Sequence, residues 1–150
     1  MVLTILLISN IMKTSHEKRM CSLTLQVLKL DGFNRIYAVE GFAEEFDKVV
    51  SEKKTDGRYH NWLRRKLYVL DDSGYVALSD RDFEPLENSD PKMYAIRYPK
   101  SPKNPRVIYA YVDNGEVYLL HTFKETSKKT GSDYRSAIKI AENRLKSIIE

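Results

Sequence analysis

The alternation of apolar and polar positions divides this chain into two short strands, two amphipathic helices, a block of strands and a last helix. Ser22 to Leu30 places Leu23, Leu25 and Val27 on one face and Thr24 and Gln26 on the other, as a half-buried strand does. Asp31-Gly32 supplies a turn, and Arg35 to Val39 reads as a second strand that Gly41 interrupts. From Phe42 to Lys54 the period changes, and Phe42, Phe46, Val49 and Val50 recur at helical spacing. Glu44, Glu45 and Asp47 lie near the start of this segment and Lys53 and Lys54 near its end, which suits the helix dipole at both termini. Asp56-Gly57 punctuates. A second helix, roughly Tyr59 to Leu70, then buries Tyr59, Leu63, Leu67 and Leu70, with Trp62 bordering that stripe. Two helices joined so closely form a helical hairpin.

Tyr75 to Pro91 reads as a polar linker with apolar anchors at Val76, Leu78, Phe83 and Leu86. Between Met93 and Lys124 come three runs rich in β-branched residues and tyrosine. A Pro- and Lys-rich connection separates the first two. Asp113-Asn114-Gly115 separates the last two, and Asn and Gly tolerate the positive φ of a tight hairpin turn. The final helix is expected to start with Ser132 or Asp133 as its cap and to bury Ile138, Ala141, Leu145, Ile148 and Ile149. The order predicts an α+β fold: an antiparallel β-sheet with an N-terminal helical hairpin and a C-terminal helix.

Composition fills in this frame. With 150 residues, 42% of them hydrophobic, residues 20–150 suffice for one domain with a real core. Residues 1–19 stand apart as an N-terminal extension, read either as an added strand or as the product of an upstream start. Its apolar part, Met1 to Met12, is too short to span a bilayer and lacks the basic lead of a secretory signal. A single cysteine, Cys21, leaves no disulfide framework and fits a cytoplasmic, reducing compartment. His16, His60 and His121 are scattered without metal-ligand spacing, so neither a metal nor another cofactor is expected. The net charge is +4, and residues 92–150 carry twelve basic against six acidic side chains. A polyanion-binding face has such an imbalance, and so does a merely solvated helix face.

Particular residues then point to a family. Phe83-Glu84-Pro85-Leu86, Tyr94-Ala95-Ile96-Arg97, Arg106-Val107-Ile108-Tyr109, Leu119-Leu120-His121-Thr122-Phe123, Lys129-Thr130 and Ala141-Glu142-Asn143-Arg144-Leu145 follow one another in order. This ordered set resembles the RelE/HigB-type toxins of type II toxin–antitoxin systems, in the phage-derived HigB-like branch of the RelE/ParE superfamily. The resemblance covers Arg35 to the C-terminus. It implies a RelE-like fold and a metal-independent endoribonuclease that cuts mRNA on the ribosome, inhibits translation and is held inactive by a helix-turn-helix antitoxin. It also implies rivals, since some relatives inhibit DNA gyrase without cutting RNA and others have no demonstrated activity. The chain departs from the family at Gly131, where proline is frequent, and at Lys124-Glu125, where a lysine pair is frequent.

RNA cleavage by the 2′-hydroxyl needs a base, cations for the charge developing on phosphorus, and an acid for the leaving oxygen. Arg106 matches the family arginine that binds the scissile phosphate; otherwise it is a solvent-exposed arginine at a strand start. Arg97, expected on the neighbouring strand and the same face, either joins it or braces the sheet against an acid. His121 either moves a proton or is hydrogen-bonded inside the core. Tyr134 either sits beside the phosphate or anchors the last helix. Lys124, Lys128 and Lys129 are the expected RNA-backbone contacts, or else belong to an ordinary solvated loop.

Overall fold

The computed structural model describes residues 25–52, 57–112, 115–126 and 130–149. The expected N-terminal extension, Cys21, His16, Lys53, Lys54, Lys128 and Lys129 lie outside these residues. Within them the fold is α+β, with six strands in one open sheet and three helices. The strands are β1 (Val27–Lys29), β2 (Ile36–Val39), β3 (Phe83–Pro85), β4 (Tyr94–Arg97), β5 (Pro105–Val112) and β6 (Glu116–Lys124). The helices are α1 (Phe42–Val50), α2 (Arg58–Ser73) and α3 (Thr130–Ile149).

The strands lie in the order β1-β2-β6-β5-β4-β3. β1 and β2 form an antiparallel pair at one edge, and Gly32 between them has φ 86°, a left-handed turn conformation open to glycine. The chain then crosses to the opposite edge through α1 and α2. From there β3, β4, β5 and β6 meander back antiparallel until β6 meets β2. That last pairing is parallel, because the helical hairpin forms a crossover and not a turn.

Two differences from the sequence expectation have simple causes. The segment read as a linker contains β3, whose three residues are too few to display alternation. Pro85 fits there because β3 is an edge strand and one missing N–H costs no ladder bond. The last helix starts at Thr130, so Asp133 lies in its first turn. Its carboxylate reaches back to accept the Thr126 N–H at 2.9 Å and the Thr126 hydroxyl at 2.8 Å.

Each face of the sheet has its own cover. Tyr94, Ile96, Val107 and Tyr109 share one face through the pairings Tyr94↔Tyr109 and Ile96↔Val107. On that face Trp62 of α2 stacks on Tyr98 with ring centroids 4.9 Å apart, and Tyr75, just after α2, meets Tyr111. Helix α3 covers the other face and buries Ala137, Ala141 and Leu145 against it.

The core stripe of α2 is the expected one: Tyr59, Trp62, Leu63, Leu67 and Leu70 are all buried. Leu67 is fully buried, so Leu67→Ala removes apolar contact and leaves a cavity. The expected loss is about 2–5 kcal/mol of unfolding free energy, measured by urea denaturation.

Candidate functional site

Strand β6 carries a bulge that decides what faces what. Ile108 pairs with His121, but Tyr109 pairs with Leu119, leaving Leu120 as the extra residue. Side chains alternate along a strand, so one inserted residue shifts the phase. Leu119 therefore shares the α2 face with Tyr109, while His121 and Phe123 share the α3 face with Ile108 and Arg106.

The bulge leaves backbone groups without strand partners, and two charged side chains take them up. Pairing of β2 with β6 ends at Ala38↔Leu119, so the Thr122 N–H has no β2 neighbour. It donates to Glu45 Oε1 of α1 at 2.9 Å. Arg144 of α3 donates to the Leu120 carbonyl at 2.7 Å and also to both carboxylate oxygens of Glu45, at 3.0 and 2.9 Å. His121 joins this cluster, its Nδ1 lying 2.8 Å from Glu45 Oε1. Burial alone would raise the Glu45 pKa. Hydrogen bonds from His121, Arg144 and the Thr122 amide outweigh it and bring the pKa down to about 2.

On the same sheet face, nearer β3, lies a second network. Arg97 and Arg106 are direct cross-strand partners, as the sequence expectation placed them. Arg106 is buried and donates from Nε to the Tyr134 hydroxyl at 3.0 Å. Its Nη1 reaches the Pro105 carbonyl, and its Nη2 forms an ion pair with Glu125. The Tyr134 hydroxyl donates in turn to Glu84 Oε1 at 2.8 Å, and Glu84 Oε2 pairs with Arg97 at 3.3 Å. Burial, then the bond to Glu84, push the Tyr134 phenol well above its usual range, against the opposing charge of Arg106. The hydroxyl therefore keeps its proton at neutral pH and serves as a hydrogen-bond donor to Glu84.

An open groove of about 750 Å³ borders this network, between β3 with its following turn and the first half of α3. Glu84, Arg97, Glu125 and Tyr134 line one side of it, and Arg135, Lys139 and Glu142 line another. The structure thus brings together Arg97, Arg106 and Tyr134. His121 does not join them: it is held by Glu45 and separated from Tyr134 by the Phe123 ring. Lys124 is exposed at the end of β6. No group of three His, Cys, Asp or Glu side chains among the described residues could hold a metal ion. None of their helices is long and apolar enough to cross a membrane.

Comparison with known proteins places this geometry in a family. The family model for phage-derived Gp49-like proteins (DUF891) matches residues 62–146, more than half of the chain. This chain is a member of the Gp49-like family. No curated protein matches it. The matched span holds every member of the Glu84–Arg97–Arg106–Glu125–Tyr134 network and Arg144, while Glu45 lies before it. In this Gp49-like protein the family span therefore relies on α1, outside that span, to satisfy its own bulge.

Sequence reasoning did not single out Glu84, Glu125 or Glu45 as site residues. Glu84 falls in the missed β3. Glu125 was visible as a departure from the expected lysine pair, the one available signal. Glu45 looks like an ordinary first-turn acid.

The depressed Glu45 pKa ties stability to pH. The pKa is about 2 in the folded chain against an ordinary 4.5, so the contribution is present above pH 4.5 and fades as pH falls toward 2. The shift corresponds to about 3 kcal/mol at most. Glu45→Gln should lose most of this at neutral pH. Urea denaturation across pH 2–7 should show the gap between wild type and variant closing at the acid end.

Proposed function

We propose that this Gp49-like chain is the toxin of a type II toxin–antitoxin module and an endoribonuclease acting on mRNA. The observation that carries the reading is the cross-strand pair Arg97–Arg106 beneath Tyr134, beside an open groove of about 750 Å³. The family match supports it, since Gp49-like proteins are associated with RelE/HigB-like toxins.

The reaction follows from the groups at hand. Glu84 faces the groove and accepts the 2′-hydroxyl proton; the resulting oxygen attacks the adjacent phosphorus. The bond to the 5′-oxygen breaks, leaving a 2′,3′-cyclic phosphate and a 5′-hydroxyl. Arg97 stabilises the charge that builds on the phosphoryl oxygens, and Arg106 does so once its own carboxylate partner yields. Tyr134 bridges Glu84 and Arg106 and supplies the proton for the leaving oxygen. This moves the proton chemistry from His121 to Glu84 and Tyr134. Lys124, with Lys128 and Lys129, is the proposed backbone contact. Ribosome dependence, a helix-turn-helix antitoxin and action in the cytoplasm belong to the same proposal.

One observation favours a second reading. Among the described residues, Glu84, Glu87, Glu125 and Glu142 outnumber the three cations that line the groove, Arg97, Arg135 and Lys139. An acid-rich groove suits a non-enzymatic protein that blocks a target such as gyrase, or one that retains only antitoxin binding.

Inducing the protein in a bacterium and mapping mRNA 5′ ends separates these readings. The nuclease predicts growth arrest with codon-phased cuts that Arg106→Ala abolishes. Glu84→Gln should slow cleavage of a purified message about 10²–10⁴-fold, the usual worth of a general base. Arrest with DNA damage and no new RNA ends would move the assignment to gyrase, and a harmless protein would leave antitoxin binding alone.

A further inference from the structure

The groove presents Glu125, not Arg106. Arg106 lies beneath, its side chain 4% exposed, and every guanidinium nitrogen is already engaged: Nε by Tyr134, Nη1 by Pro105 and Nη2 by Glu125. Glu125, 12% exposed, stands between that guanidinium and the groove it lines. A phosphate in the groove therefore meets the Glu125 carboxylate before it can reach Arg106.

We propose that Glu125 acts as a built-in anion that keeps a phosphate-binding site at Arg106 closed, and that phosphodiester enters only when this carboxylate is displaced. The proposal rests on the toxin reading for its ligand and adds the control of that site. Carboxylate and phosphate make the same forked contacts with a guanidinium, so one can stand in for the other. The displacement also changes the sign of the groove. Among the described residues four carboxylates now face three cations; with Glu125 withdrawn and Arg106 uncovered, three face four.

The geometry makes Glu125 a side-chain gate on a fixed hinge. Its N–H donates to the Asn104 carbonyl at 3.2 Å, and its own carbonyl accepts from the Asn104 side chain at 3.2 Å. Asn104 holds a positive φ of 42° and is itself tied to Ser101. The backbone at Glu125 thus stays against the β4–β5 connection while the carboxylate rotates. Opening needs no movement of β6, and Arg106 remains anchored by Tyr134 throughout.

Glu125→Gln tests the gate while preserving side-chain size. The probes are a short fluorescent single-stranded RNA and inorganic phosphate. The variant should bind the RNA about tenfold tighter than wild type, a difference of about 1.4 kcal/mol. It should also gain thermal stability in phosphate where wild type gains none, since a ligand that binds the folded form stabilises it. Adding Arg106→Gln should abolish both gains. Equal RNA binding and equal phosphate response in Glu125→Gln and wild type would overturn the proposal. Should the variant fail to fold, the Arg106 Nε–H resonance of wild type decides. The closed site predicts that phosphate leaves it unmoved, and a saturable shift overturns it.

Cleavage assays keep this test separate from the nuclease reading. Tighter, Arg106-dependent binding without cleavage upholds the gate and removes the nuclease. Arg106-dependent cleavage by wild type with no gain in Glu125→Gln removes the gate and keeps the nuclease.

Discussion

The pair Glu45–Arg144 is the constraint on which the rest of this fold hangs. It spans from α1 to α3 and clasps the bulge in β6, taking the Thr122 N–H on one side and the Leu120 carbonyl on the other. Each of those groups would otherwise be a backbone dipole without a strand partner, and leaving one unsatisfied in a buried setting costs about 1–3 kcal/mol. The side chains are only partly exposed, 23% for Glu45 and 29% for Arg144, so solvent screens the pair less than it would a surface salt bridge. The interaction does for β6 what β2 ceases to do beyond Ala38.

The phase of β6 follows from that clasp, and the candidate site follows from the phase. Were alternation unbroken through Leu120, Leu119 and Phe123, four residues apart, would fall on the same face. Phe123 instead turns toward α3, where it meets Tyr134 edge-on with ring centroids 5.1 Å apart. That contact sets Tyr134 over the sheet, within reach of both Arg106 and Glu84. A backbone irregularity far from the groove thereby determines the alignment of the groove's polar groups.

Much of this was legible in the sequence. Periodicity placed α1, α2, α3 and the three strands β4, β5 and β6, because each carries enough apolar positions to show its period. The Arg97–Arg106 juxtaposition was also foreseeable, since two arginines on consecutive strands of a meander share a face whenever the register allows. What was hidden depends on long-range pairing. β3 is three residues long and becomes a strand only by pairing with β4. The bulge at Leu120 leaves no mark in an apolar run such as Leu119-Leu120. For the same reason His121 drew attention as a proton carrier, although the structure ties it to Glu45 in the brace. Glu84 and Glu125 acquire meaning only once β3 and the end of β6 lie side by side with α3.

The charge pattern illustrates why segment totals are a poor guide to surfaces. Residues 92–150 carry twice as many basic as acidic side chains, yet several of those cations are spent inside the fold. Arg106 is neutralised by Glu125, Arg144 by Glu45 and Arg97 by Glu84. Two of those three acids, Glu45 and Glu84, come from the acidic middle of the chain, brought in by α1 and β3. The basic C-terminal half and the acidic middle thus cancel across the sheet. Among the described residues, the groove beside it is left with a carboxylate majority although the chain as a whole is cationic. Recognition of a polyanion by this face therefore depends less on total charge than on which of its ion pairs opens.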